Sequence, residues 1–238
     1  MSREPSNRKA NADSISPHYQ GGRGEIYATK RKYRQDVLNH LGYQLQKRFF
    51  APFLKKNMNV LDFGCGNGSL AKALEPHVNS IEGLEVNSRP RDLAISQNLV
   101  VYDQISNLPD GKLYDAIISN HVLEHIPNVI ATLKILRGHM QPDGIFIIVL
   151  PIEDFRTARN KRWRSNDPDH HLHTWTPLLF GNTLQEAGLE PIKLSVITHT
   201  WTPKLFFLGD TWFQQLACYI LSMLLKRRQL LAVAVKMS

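Results

Sequence analysis

One stretch limits what this chain can fold into more than any other: Val60-Leu61-Asp62-Phe63-Gly64-Cys65-Gly66-Asn67-Gly68-Ser69-Leu70. A short apolar run reaches an acidic residue, then glycine at three alternate positions, then a helical pattern. Glycine permits a tight turn and close approach of a ligand to the backbone. In open α/β sheets, ligands bind at such a turn, outside the carboxyl end of a strand. The same alternation continues downstream. Apolar runs at 58–63, 80–86, 99–102, 114–119, 144–150, 191–198 and 230–236 predict strands. Patterns at 69–75, 88–97, 127–139 and 176–187 predict the helices between them, the second with a Ser88 cap and Pro90 in its first turn. The run Gly144-Ile-Phe-Ile-Ile-Val-Leu150 reads as a strand buried on both faces. The predicted fold is α/β: a doubly wound, mostly parallel seven-stranded sheet with helices on both faces.

The glycine spacing discriminates among ligands. A G-x-G-x-x-G turn opening a helix serves a pyrophosphate. Here the pattern is G-x-G-x-G with Asp62 just before it. A negative side chain there opposes a pyrophosphate and suits a ligand with an ammonium group and a sulfonium centre. No G-x-x-x-x-G-K-[S/T] occurs, which excludes a P-loop. Glu85 closes the second strand, 21 residues after Gly64. That is near the ~20 residues expected for an acid that accepts both hydrogens of a ribose diol. Glu82 competes for the role but lies earlier in the strand.

With these features the sequence resembles the class I S-adenosylmethionine-dependent methyltransferases, over roughly residues 30–236. The resemblance implies a Rossmann-like methyltransferase fold with S-adenosylmethionine as cofactor and S-adenosylhomocysteine as product. It implies that Asp62, Gly64, Cys65, Gly66 and Gly68 contact the methionine part and that Glu85 and Val86 hold the ribose. Asp103, with Gln104 beside it, matches the acid that the family sets against the adenine amino group. The stretch Ser119-Asn120-His121-Val122-Leu123-Glu124-His125 carries the Leu-Glu-His element of small-molecule methyltransferases. Asn120 and His121 are then expected beside the transferable methyl, and His125 is expected to tie loop backbone near the next helix.

Residues 151–176 contain Lys161-Arg162-Trp163-Arg164 and Asp169-His170-His171-Leu172-His173-Thr174-Trp175. By the resemblance this stretch lines the acceptor pocket, with His173 the preferred active-site base and His121 the second catalytic candidate. No metal is expected, because no matching carboxylate–histidine set appears elsewhere. Methyl transfer is an in-line displacement at a carbon already activated by sulfonium, and alignment contributes ~7–11 kcal/mol in favourable cases. A hydroxyl acceptor gains a further ~10²–10⁴-fold from a base. The residues leave O-, N-, C- and S-methylation open.

Composition bears on the partners. The net charge is +8, but residues 1–50 carry ten Lys/Arg against four Asp/Glu, so most of the excess lies in the N-terminal part. Residues 1–24 read as a mobile basic arm, followed by a helical pattern from Tyr33 to Phe49 that Pro52 ends. Residues 25–238 read as a single methyltransferase domain, with 151–176 and 201–228 as acceptor-side insertions. Only Cys65 and Cys218 are present, which speaks against a disulfide framework and points to a cytoplasmic setting. The apolar segment 216–225 reads as a buried helix. The alternative is a membrane-surface helix with a basic end at Lys226-Arg227-Arg228, a peripheral contact through 205–228. The expected acceptor is a small molecule, a glycan or a lipid-linked compound. Nucleic acid is disfavoured, because the place after the fourth strand lacks the Asn/Asp-Pro-Pro-Tyr/Phe of base-amine enzymes. An RNA-directed enzyme and a non-catalytic S-adenosylmethionine-binding scaffold are the alternatives.

Overall fold

The computed structural model describes residues 16–19, 22–24, 42–43, 45–153, 162–163, 165, 167, 170–197, 203–209 and 211–237. Seven strands form one sheet: β1 Asn59–Phe63, β2 Ser80–Leu84, β3 Val101–Tyr102, β4 Tyr114–Asn120, β5 Met140–Ile152, β6 Leu189–Ile197 and β7 Arg228–Lys236. Their order across the sheet is β3-β2-β1-β4-β5-β7-β6. All pairs from β3 to β5 are parallel, and β7 runs antiparallel between β5 and β6. The order reverses between β1 and β4. At such a point two strands send their following chain to opposite sides and leave a crevice outside their carboxyl ends.

The helices are α1 Ser69–Leu74, α2 Ser88–Ser96, α3 Val129–Gly138, α4 Pro177–Glu186 and α5 Trp212–Leu225. Leu70, Ala71 and Leu74 of α1 and Ala94 of α2 pack with Val60, Ile118, Ile147 and Val149 on one face of the sheet. Leu133 and Leu136 of α3 and Phe180 and Leu184 of α4 pack with Leu61, Ile117, Phe146 and Ile148 on the other. Strand side chains alternate in direction, so β5, apolar at every step from Ile145 to Leu150, serves both cores.

Three local readings differ from expectation. The cap of α2 is Asn87, not Ser88: its side-chain oxygen accepts from the Arg89 N–H at 3.2 Å. Its amide also donates to Gly24 O at 2.8 Å and Tyr19 O at 3.4 Å, tasks a shorter serine cannot reach. Within the span read as a mobile arm, Tyr19 is buried. Residues 17–19 form a 3₁₀ turn, and Gly24 packs against Tyr19 carbonyl and Asn87. The remainder of the arm and the Tyr33–Leu41 part of the predicted helix lie outside the described residues. Of that pattern, Leu45 is buried and Phe49 joins the core on the α1 side.

The third difference is α5. A helix forms where apolar residues run together, but it is not buried. The residues turned inward are Gln214, Cys218 and Ser222, one per turn. Gln214 accepts from Arg48 at 3.3 Å and donates to the Cys218 sulfur at 3.0 Å. Leu216, Ile220, Met223 and Leu224 face outward. A segment apolar on nearly every side gives no periodicity from which to read its inner face; the hydrogen bonds of Gln214 mark it.

Candidate active site

The loop after β1 turns through Gly64 at φ 79°, Gly66 at φ 55° and Gly68 at φ 79°. This left-handed region disfavours any side chain. At Gly64 space forbids one as well, because a Cβ would lie 2.3 Å from Val122 Cγ2. The loop is thereby pressed against the chain leaving β4. Cys65 is buried over Gly83, where a Cβ would meet its sulfur at 2.5 Å. Burial raises the Cys65 thiol well above its ordinary range, so it is a packing residue in the turn.

Asp62 is 1% exposed, and its Oδ2 has no hydrogen-bond partner among the described residues. Burial, with Glu85 adding like charge, pushes its carboxyl up to about 8. A buried carboxylate without a donor is costly unless a cation meets it. Asn120 closes β4, and its buried Oδ1 also lacks a partner among the described residues. Asp62 is registered with Ile118, so Asp62 and Asn120 share one face of the sheet beside the reversal point. These two orphaned acceptors and the glycine cradle fit the ammonium end of S-adenosylmethionine.

Glu85 lies just past β2. Its Oε2 accepts from Gly66 N–H at 3.0 Å and its Oε1 from Asn87 N–H at 2.8 Å. Burial raises its carboxyl, and these backbone bonds pull the other way. Each oxygen keeps a second lone pair, so one carboxylate braces the glycine turn and can still accept from a diol. Glu82 is engaged elsewhere: Lys112 at 2.5 Å and the hydroxyls of Tyr114 at 2.8 Å and Tyr102 at 3.2 Å surround it. Val86 packs at the edge of the core, and Arg91 donates to its carbonyl at 3.3 Å. Asp103 follows β3 and accepts from Asn107 Nδ2 at 2.6 Å, while Gln104 is exposed.

Beyond β4 the chain gathers histidines and carboxylates. His121 adopts φ 57°, a backbone uncommon outside glycine, and its Nδ1 stands 3.6 Å from Glu124 Oε1. Glu124 is fully buried, and His125 Nε2 lies 3.8 Å from the same oxygen. His171 Nδ1 lies 3.3 Å from Glu153, just past β5, and holds that carboxyl below its ordinary range. Glu124, His125 and His171 each offer a ligand atom, all within 4.8 Å of one another, a set of the type a divalent cation accepts.

His173 stands apart from this group. Its Nε2 meets Ile126 O at 2.9 Å and its backbone N–H donates to Glu124 O at 3.2 Å. His125 Nδ1 meets the Tyr19 hydroxyl at 2.6 Å. His18 stacks on His170 with centroids 4.4 Å apart. Residues 18–19 thus strap the acceptor-side histidines. Arg162 and Trp163 are exposed, whereas Lys161, Arg164 and Asp169 lie outside the described residues.

Tyr19, Glu153 and the Glu124 carboxylate carry no sequence signal of this role. Glu124 was visible only as the middle of Leu-Glu-His, and Tyr19 sits in a stretch whose composition reads as unstructured.

The ubiquinone biosynthesis O-methyltransferase of Rickettsia felis is 34% identical over 98 residues, which is 38% of this chain and 40% of that protein. The chain therefore matches well under half the length of that curated relative. A chain from the complex of the Haloferax volcanii Trm112 methyltransferase activator superposes with a TM-score of 0.66 at 17% identity, over 90% of this chain and 98% of its own. The Burkholderia thailandensis 1,6-didemethyltoxoflavin-N1-methyltransferase, solved with S-adenosylhomocysteine, gives 0.59 at 16% identity over 90% and 85%. Those two likenesses show the fold. The methyltransferase-domain family matches residues 31–194, more than half of the chain, and with the glycine turn, Asp62 and Glu85 in place the chain belongs to the class I S-adenosylmethionine-dependent methyltransferases.

Proposed function

We propose that this protein transfers a methyl group from S-adenosylmethionine to a hydroxyl of a small-molecule or lipid-linked acceptor. The observation that carries the reading is Asp62: a buried carboxylate whose Oδ2 meets no donor among the described residues, at the mouth of a turn that only glycine can make. Asp62 and Asn120 take the ammonium end, Gly64 to Gly68 the methionine backbone, and Glu85 with Val86 the ribose. Asp103 and Gln104 border the base. When bound, S-adenosylmethionine supplies a methyl activated by its sulfonium.

The hydroxyl assignment draws support from relatives named O-methyltransferases and from the pair His121–Glu124. With Nδ1 toward Glu124, His121 is assigned Nε2 as the atom that takes the acceptor proton. The buried carboxylate then stabilises the imidazolium that forms. His173, whose Nε2 is committed to Ile126 O, positions the loop rather than moving a proton. The segments 151–176 and 201–228 are assigned to the acceptor side of a single domain, a reading supported by Ile152, Ile197 and Arg228, which stand at the carboxyl edge of the sheet.

Calorimetric titration with S-adenosylmethionine tests the reading. Binding by the wild type, lost in Gly66→Arg and weakened in Glu85→Ala, is the expected result. A folded wild type that does not bind sinks it and favours a scaffold role.

A further inference from the structure

We propose that the outer face of α5 docks on the surface of an anionic lipid bilayer. The helix binds the body of the protein through Gln214, Cys218 and Ser222 and leaves its apolar side chains outside. Trp212, Phe213, Leu216, Tyr219, Ile220 and Met223 are each between 47% and 64% exposed, and Leu224 is 74% exposed. At 100° per residue they fill about 140° of the helix circumference with no charged group among them. Phe207, in the 3₁₀ turn just before the helix, is 80% exposed and extends the patch. Contiguous apolar surface of this kind marks an interaction site.

The flanking charge identifies the occupant. Lys226, Arg227 and Arg228 follow the helix directly and are exposed, and residues 212–228 contain no Asp or Glu. An apolar face with Trp and Tyr beside a cationic end matches the interface of a membrane with anionic headgroups. A second copy fits less well, because it would bring together two chains of net charge +8. Spanning is excluded for the described helices, none of which is long and apolar enough to cross a bilayer.

The position of α5 gives docking a consequence. Arg228 pairs with Ile152 at the carboxyl end of β5, next to Glu153, and Ile197 at the end of β6 pairs with Gln229. The segment carrying α5 therefore leaves and rejoins the sheet at the edge that bears His121 and the glycine turn. Docking turns that edge toward the lipid.

Co-sedimentation with phosphatidylcholine vesicles, with and without phosphatidylglycerol, tests the proposal without depending on methyl transfer. The wild type is expected to sediment with the anionic vesicles and to be released as salt rises. Leu216→Glu/Ile220→Glu is expected to stay in the supernatant while keeping its circular dichroism and its S-adenosylmethionine affinity. Lys226→Gln/Arg227→Gln is expected to weaken partitioning about fivefold per charge. A wild type that stays in the supernatant overturns the proposal, as does a Leu216→Glu/Ile220→Glu protein that sediments like it. So does a lipid-free wild-type dimer that Leu216→Glu/Ile220→Glu converts to a monomer, which would assign the face to a second copy.

Discussion

Asp62 shows how burial sets the charge that a ligand must bring. Its carboxyl is raised from 3.8 to about 8, first by burial and then by Glu85. Between these values the folded chain holds a proton that the unfolded chain has lost, so this residue makes stability fall as pH rises. An ammonium ligand needs the ionised form. Binding of S-adenosylmethionine at pH 7 should therefore release close to one proton, measured by calorimetry in buffers of different ionisation heat, and affinity should rise toward pH 8. Asp62→Asn should abolish proton release, weaken binding, and raise Tm more at pH 8 than at pH 5. His121 invites a different test. With His121→Ala, turnover of a hydroxyl acceptor should fall about 10²–10⁴-fold while cofactor affinity in calorimetry holds. An unchanged turnover would remove His121 as the base.

At the scale of elements, the shortest bond of the strap at residues 18–19 joins the Tyr19 hydroxyl to His125. Tyr19→Phe should cost about 0.5–1.5 kcal/mol, seen as a Tm lower by roughly 1–6 °C. The sequence made the sheet legible because β5 and β7 each contain an unbroken apolar run and the parallel strands other than β3 are followed in the chain by a patterned helix. Strand ends were less legible: β5 begins at Met140, four residues before its apolar run, because Gln141, Pro142 and Asp143 look like a turn. The cofactor half of the site was legible because it is one continuous loop whose glycines are forced by φ. The acceptor half was not. It joins Tyr19, Glu124, Glu153 and His171 across up to 152 positions, and only the fold brings them together. The inner face of α5 was hidden because its anchors are a glutamine, a cysteine and a serine within an apolar stretch.

For the whole molecule, the reversal between β1 and β4 puts the glycine turn and the β4 exit against each other through Gly64 and Val122. Occupying the crevice should therefore stabilise the entire domain. At a ligand concentration about 100 times Kd, the gain is about 2.7 kcal/mol, and Tm should rise by roughly 5–10 °C. Gly66→Arg should show no such rise in differential scanning calorimetry. A wild-type Tm indifferent to saturating S-adenosylmethionine would contradict the assigned site.

Both native cysteines are buried, Cys65 in the glycine turn and Cys218 on the inner side of α5, and burial raises both thiols. Thiolate is the reactive form, so the native surface should be silent toward maleimides and aromatic disulfides until the chain unfolds. A single cysteine introduced at position 216 would then carry a fluorophore or spin label by itself, and the protein can report its own surroundings without first being stripped of its natural thiols.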